Sequence, residues 1–170
     1  MVDFGLKRLD AETGELGEII WLSDFVGGKD AKEPKKALLL NFFATWCEPC
    51  KAELPVLVEL HRRYAGRGFQ VLSINYHDED DEIGGVLKKS TEIMKTFALP
   101  FPVLVDRYTN RNQLVYMGSK AALPCNVLIG SDGVVAARFQ GGRSATMEEL
   151  EQAIAKLTGG AGGNEKAIGK

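Results

Sequence analysis

The chain has 170 residues, 45% of them hydrophobic, and a formal net charge of −2, which is enough apolar material for one full core with nothing to suggest a second. So small a charge excludes the basic footprint of a nucleic-acid-binding surface, and no apolar stretch approaches membrane-spanning length. Met1-Val2-Asp3-Phe4 leads directly into sequence that reads as folded, without a secretory leader.

In chain order, Phe4 to Leu9 and Glu18 to Leu22 read as short strands around an Ala-Glu-Thr-Gly turn. The polar, breaker-rich stretch from Gly27 to Lys36 reads as a solvated loop. Ala37 to Phe43 is an apolar run with the length and composition of a buried parallel strand. Leu54, Leu57, Val58 and Leu60, with His61 and Tyr64, recur at helical spacing and predict an amphipathic helix from Pro49 to about Ala65. With the strand Phe69 to Asn75 they form a crossover unit expected to be right-handed. A second helix, about Asp81 to Phe97, carries Ile83, Val86, Leu87, Ile93, Met94 and Phe97 on one face, its first turns weakened by Gly84-Gly85. Phe101 to Asp106 reads as a strand and Asn110 to Met117 as a short helix. Cys125 to Ile129 and Val134 to Phe139 flank Gly130-Ser131-Asp132-Gly133, a hairpin turn. Thr146 with Glu149 predicts a capping box for a last helix bearing Met147, Leu150, Ile154 and Leu157, which Gly159-Gly160 can terminate. The expected division is a domain over 1–158 and a Gly-rich flexible tail over 159–170, with no internal repeat.

Within this frame Cys47 and Cys50 stand two residues apart where the strand hands over to the first helix. Cys47 falls just before the first helical turn, where unpaired backbone N–H groups and the positive end of the helix dipole favour a thiolate and make it the attacking sulfur. Cys50 lies one turn further in, more buried, and is suited to resolve a mixed disulfide from within. Pro49 fits the first turn, where a missing N–H costs little, and the Glu48 carboxylate opposes part of the dipole's effect. Half of a zinc site is the rival reading, but it normally needs a second pair at ligand spacing. Only Cys125 and the separated His61 and His77 remain for that.

Trp46-Cys47-Glu48-Pro49-Cys50, the following Glu53 and Pro55, Leu123-Pro124 and the late Gly141 resemble the thioredoxin superfamily. More narrowly they are similar to the TlpA-like thiol-disulfide oxidoreductases, the extracytoplasmic group that includes reductases serving cytochrome c maturation. The likeness runs from about Phe4 to Leu157. It implies an α/β thioredoxin fold, a mixed central sheet flanked by helices, with an added N-terminal hairpin. It also implies a periplasmic or membrane-anchored address with the leader absent from this chain, the alternative being the cytoplasm. Three cysteines do not decide between these, since a catalytic pair occurs in either compartment.

The resemblance assigns Glu53, one turn after Cys50, a proton-relay role, against the plain reading of an exposed helix glutamate. Asn41 falls where thioredoxin has a buried acid, and an amide cannot transfer that acid's proton. Pro124 is implied to follow a cis peptide facing the cysteine pair, so that Leu123-Pro124 leaves backbone groups free to pair with an extended substrate. Pro55 by itself predicts a kink, but the family carries a proline there. Trp46 is expected to pack beside Cys47 and restrict access to it. Cys125 departs from the family, which often has threonine there. Its readings are a small buried cysteine, a third redox thiol, or part of a three-thiolate site for copper(I) or zinc. His77 with Asp78 to Glu82 reads as a solvated run at a helix start rather than a cation site, and His61 lies too far along the helix to serve as a base.

The resulting expectation is a monomeric thiol-disulfide oxidoreductase acting on protein substrates, with no organic cofactor and no metal, recharged by an upstream redox protein and working as a reductase. The alternatives are a three-cysteine metal carrier and a thiol peroxidase.

Overall fold

The apolar run at Ala37 forms the strand around which the other elements are arranged. In a computed structural model that describes residues 2–77, 81–105, 115–118, 122–141 and 144–159, side chains of 144–146 excepted, it is buried at every one of its residues, Ala37–Phe43. Seven strands, β1 (Gly5–Leu9), β2 (Leu16–Trp21), β3 (Ala37–Phe43), β4 (Phe69–Asn75), β5 (Val103–Val105), β6 (Cys125–Gly130) and β7 (Val135–Gln140), form one sheet in the order β2-β1-β5-β4-β3-β6-β7. β3, β4 and β5 run parallel, while β1, β6 and the two edge strands pair antiparallel. The sheet is therefore mixed, as expected, with the N-terminal hairpin joined to it through β5.

The strand alternation divides the core in two. Leu38, Leu40 and Phe42 of β3 pack with Leu72, Ile74, Leu104, Cys125, Val127 and Ile129 on one face. Leu39 and Phe43 point the other way, toward the helices α1 (Glu48–Tyr64), α2 (Ile83–Thr96) and α3 (Ser144–Thr158). Leu57, Val58 and Leu60 of α1 meet Leu150 and Ile154 of α3 over one half of that face. Cys50 and Leu54 meet Ile93 and Met94 of α2 over the other. The opposite face is covered by Phe4, the short 3-10 turn Leu22–Asp24, Phe25, Val26, and Tyr116 and Met117. α1 also carries Glu48 in its first turn and His61, Arg62 and Arg63 in its last, complementing its dipole at both ends.

Local chemistry accounts for most boundaries. The Asp10 carboxylate accepts the N–H groups of Glu12 and Thr13, each at 2.8 Å, and closes the β1–β2 turn; β2 then starts at Leu16, two residues before the predicted Glu18. α1 continues without interruption through Pro55. The last helix begins at Ser144, so Thr146 lies inside it and the predicted capping box is not its start. Ser144 and Ala145 are compatible with helical backbone and simply extend it. Residues 115–117 are helical, while the predicted helical residues 110–114, Asp106 and the tail beyond Gly159 lie outside the described residues.

Gly68 connects α1 to β4. Its φ is +89°, its carbonyl accepts the N–H groups of Lys36 and Ala37, and a Cβ there would lie 3.2 Å from Lys36 Cγ. Gly68→Ala is expected to destabilise the protein by about 1–2 kcal/mol in urea unfolding, whereas Gly66→Ala, with nothing within 4 Å of its Cβ position, is expected to be neutral or slightly stabilising.

Candidate active site

β3 delivers the chain to the N-terminus of α1 at one end of the sheet. After Phe43 the backbone turns, with Cys47 N–H donating to the Ala44 carbonyl at 3.1 Å. Cys47 is the N-cap residue of α1, extended at φ −87° and ψ 99°, and its Sγ accepts the N–H of Cys50 at 3.3 Å. That N–H is one of the groups a helix start leaves without an intrahelical partner, so the fold aims a donor at the sulfur that would bear charge. The two cysteines form a disulfide. Both sulfurs belong to the cluster containing Phe43, Leu54, Ile93 and Met94, and the residues are only 5% and 1% exposed respectively. Glu48 points to solvent and pairs with Lys51 Nζ at 2.7 Å, so part of its opposition to a thiolate is neutralised.

Two neighbours frame the pair. Trp46 is 59% exposed, so it stands out from the surface instead of lying packed down as expected. Leu123 packs against the cysteine cluster and precedes Pro124 in a cis peptide, which places this loop at the cysteine pair. The Pro124 carbonyl, however, already accepts the N–H of Gly141 at 3.0 Å. The backbone expected to remain open to a partner is thus reduced to Leu123's own.

Glu53 is not the exposed helix residue of the plain reading. It is 3% exposed, one helical turn beyond Cys50, and its Oε1 accepts a hydrogen bond from Asn126 Nδ2. Oε2 has no hydrogen-bond partner among the described residues. Burial pushes the carboxyl up to about 7, with the Asn126 amide pulling the other way. A group poised there exchanges its proton near neutrality, as a relay to a buried thiol requires.

Asn126 is the residue that the sequence pattern did not bring out. Asn41 pairs with Ser73 on one side and with Asn126 on the other in the sheet register. Ser73 Oγ donates to Asn41 Oδ1 at 2.8 Å and Asn41 Nδ2 donates to Asn126 Oδ1 at 3.0 Å. The available signal was a single asparagine in each of two otherwise apolar strands, Asn41 in β3 and Asn126 in β6, with Ser73 one of three polar residues in β4, and it becomes meaningful only once their register is known.

The third thiol is not brought to the pair. Asn126 faces α1, so by strand alternation Cys125 faces the other way, where it is fully buried with Phe42, Met117 and Val127. Among the described residues no group of three His, Cys, Asp or Glu side chains could hold a metal ion. The three-thiolate arrangement is therefore not formed. Burial pushes the Cys125 thiol up to about 11, leaving it protonated and unreactive at neutral pH. His61 packs against Phe69 and Phe101, and burial, with Lys35 nearby, holds it below the usual histidine range. His77 is buried, and Asp78 to Asp80 of the acidic run lie outside the described residues.

Two outcomes follow from this geometry. Because folding raises the Glu53 pKa from 4.5 to about 7, the fold favours its neutral form. That contribution is complete below about 4.5, declines as pH rises toward 7, and is gone above it. Glu53→Gln is thus expected to leave the disulfide form's stability nearly unchanged at pH 4 and to raise it by about 2–3 kcal/mol at pH 8, read by urea unfolding at the two pH values. Cys125 is expected to resist iodoacetamide at pH 8 in the native protein and to react fully once the chain is unfolded, followed by mass.

A family model described as the AhpC/TSA family matches residues 1–138. The thiol-disulfide oxidoreductase ResA of Bacillus thuringiensis subsp. konkukian (strain 97-27) is 30% identical over 142 residues, 84% of this chain and 70% of that one. ResA of Geobacillus kaustophilus (strain HTA426) is 31% identical over 137 residues, 80% of this chain and 67% of that one. Among solved structures, a Chlorobium tepidum protein assigned as thiol:disulfide interchange protein DsbE superposes with a TM-score of 0.69 at 26% identity, over 92% of this chain and 94% of that one. The mixed sheet with its helices is accordingly a thioredoxin fold, with a disulfide at the start of α1. This chain belongs to the AhpC/TSA family of the thioredoxin superfamily and is a thiol-disulfide oxidoreductase of the TlpA-like, ResA-related kind.

Proposed function

We propose that the protein is a reductase of disulfides in exported proteins, working through Cys47 and Cys50 with Glu53 as the proton carrier. The observation that carries this reading is the buried Glu53 carboxyl one turn behind the pair. In the reduced form the Cys47 thiolate attacks a substrate disulfide. One substrate sulfur joins Cys47, and the other leaves and takes up a proton. Cys50 then gives its proton to the Glu53 carboxylate and attacks Cys47 Sγ, which forms the Cys47–Cys50 disulfide and releases the second substrate thiolate. Two electrons pass from the pair to the substrate. The Glu53 proton follows the leaving thiolate or returns to solvent, and a separate redox protein must then reduce the pair.

Electrostatics supports this direction. A dithiol becomes a strong oxidant when its reduced form is stabilised by a favoured thiolate. Glu53, and the Glu48 carboxylate beside the sulfurs, disfavour negative charge on the pair and so favour a reducing potential. Trp46 and Leu123 are the side chains proposed to meet the substrate, with Pro124 shaping the loop between them. The resemblance supports an extracytoplasmic location, apocytochrome c as one substrate class, and action as a monomer.

The reduction potential of Cys47–Cys50, from equilibration in glutathione and dithiothreitol buffers with mass readout after alkylation, is expected to lie near that of thioredoxin, about −270 mV, and to be unchanged in Cys125→Ser. A value near the −120 mV or so of strong oxidants would reverse the direction of transfer, and a shift in Cys125→Ser would bring the third thiol into the chemistry. Cys50→Ser is expected to accumulate a mixed disulfide on Cys47, and Cys47→Ser to lose exchange altogether.

A further inference from the structure

We infer that Asn126 is a positioning residue for the exchange reaction: anchored through Asn41 and Ser73, its amide fixes the Glu53 carboxyl so that Oε2 alone carries the proton that moves to and from Cys50. The inference rests on the proton-carrier reading of Glu53 and deepens it.

The first observation is placement. Ser73, Asn41 and Asn126 sit at one level across β4, β3 and β6, each paired with the next in register and each at most 1% exposed. Polar side chains in the middle of apolar strands are unfavourable unless their hydrogen bonds are satisfied, and purely structural packing there would be served by valine or leucine. The second is direction. Ser73 Oγ donates to Asn41, Asn41 Nδ2 donates to Asn126, and Asn126 Nδ2 donates to Glu53 Oε1, so every donor in the chain points toward the carboxyl. Asn126 can turn its oxygen to Glu53 only if Asn41 turns with it and Ser73 Oγ changes from donor to acceptor, so the ladder reverses as a whole or not at all. The third is the terminus. With the ladder in this orientation Oε1 is an acceptor, so the neutral acid places its proton on Oε2, its one oxygen with no partner among the described residues.

Among the described residues, the surroundings of the carboxyl are as follows on each element. On α1 it is accompanied by the Cys47–Cys50 disulfide, which does not titrate. α2 contributes Ile93 and Met94 to the cysteine cluster. β6 contributes Asn126 and, facing away, the protonated Cys125; β3 and β4 contribute Asn41 and Ser73. Burial and the Asn126 amide are the influences acting on Glu53. Removing the amide removes the one that favours the carboxylate, so the proton is then held to higher pH.

The test uses the full chain, reduced, with Ellman's reagent as the disulfide probe. Cys47 attack releases one thionitrobenzoate, and Cys50 resolution releases the second, so the two steps separate in time. In wild type the second phase is expected to rise with pH as Glu53 loses its proton, and in Glu53→Gln to lose that dependence. Asn126→Leu is expected to move the midpoint of the second phase upward by about one pH unit, slowing it about fivefold at pH 7, while leaving the first phase within about twofold. Asn41→Leu, which frees the Asn126 amide without touching Glu53, is expected to move the midpoint the same way by less. Infrared titration of the disulfide form, with the Glu53 carbonyl band assigned by its loss in Glu53→Gln, reads the same shift at equilibrium. Should Asn126→Leu not fold, Asn41→Leu and the infrared titration decide the matter. If Glu53→Gln abolishes the pH dependence but neither asparagine variant moves the midpoint, the positioning role is wrong and the proton-carrier reading stands. If Glu53→Gln itself leaves the second phase unchanged, the proton-carrier reading fails and the inference falls with it.

Discussion

The site depends on one constraint, a carboxyl group kept out of water on the helix that carries the redox pair. Glu53 lies between α1 and the sheet with a single hydrogen bond to Oε1. Ionised carboxylates are seldom buried on such terms, because the lost hydration is only partly replaced. The fold accommodates this by favouring the acid, whose proton is then exchangeable near neutrality, as the proposed relay to Cys50 requires. The stability cost at high pH and the capacity to relay a proton are two consequences of the same burial.

The N-terminus of α1 exerts the opposite pull. Cys47 caps the helix and receives the Cys50 N–H, an arrangement that stabilises negative charge on the sulfur. Glu48 and Glu53 oppose that charge from the first turn and from beneath. The two effects differ in range. The helix terminus acts at contact distance on Cys47, which keeps it nucleophilic, while the buried acid lies deeper, one turn past Cys50. A dithiol can in this way have an attacking sulfur that is readily ionised and a resolving sulfur whose proton must be handed over, a division suited to a pair that reduces its substrate in two ordered steps.

Much of this was legible from residue patterns. The apolar period gave β3, α1, β4 and α2 almost to their ends, and the spacing of Cys47 and Cys50 against the end of β3 located the sulfurs at a helix start. Glu53 was named from its position one turn after Cys50, but its burial was not visible, because a helix glutamate between Ala52 and Leu54 reads equally well as solvent-facing. Of the readings of Cys125, the small buried cysteine is the one the fold forms, for a definite reason. Adjacency to Pro124 suggested proximity to the pair, whereas the two-residue period of β6 sends its side chain to the far face and Asn126 to the near one. The ladder from Ser73 to Asn126 depends on the register of three strands, and register between non-adjacent segments is not written in any one of them.

The division of labour between helix and sheet has a further consequence. A buried acid on the central strand would be fixed to the sheet. Here the strand position holds Asn41, an amide that carries no exchangeable acid, and the acid rides on α1 with the cysteines. A shift of the start of α1 on opening the disulfide would therefore carry Glu53 along with Cys50 and keep the proton donor in step with its acceptor. Such a shift would act on the contact between Glu53 and Asn126, the hydrogen bond by which the acid on α1 meets the ladder of the sheet.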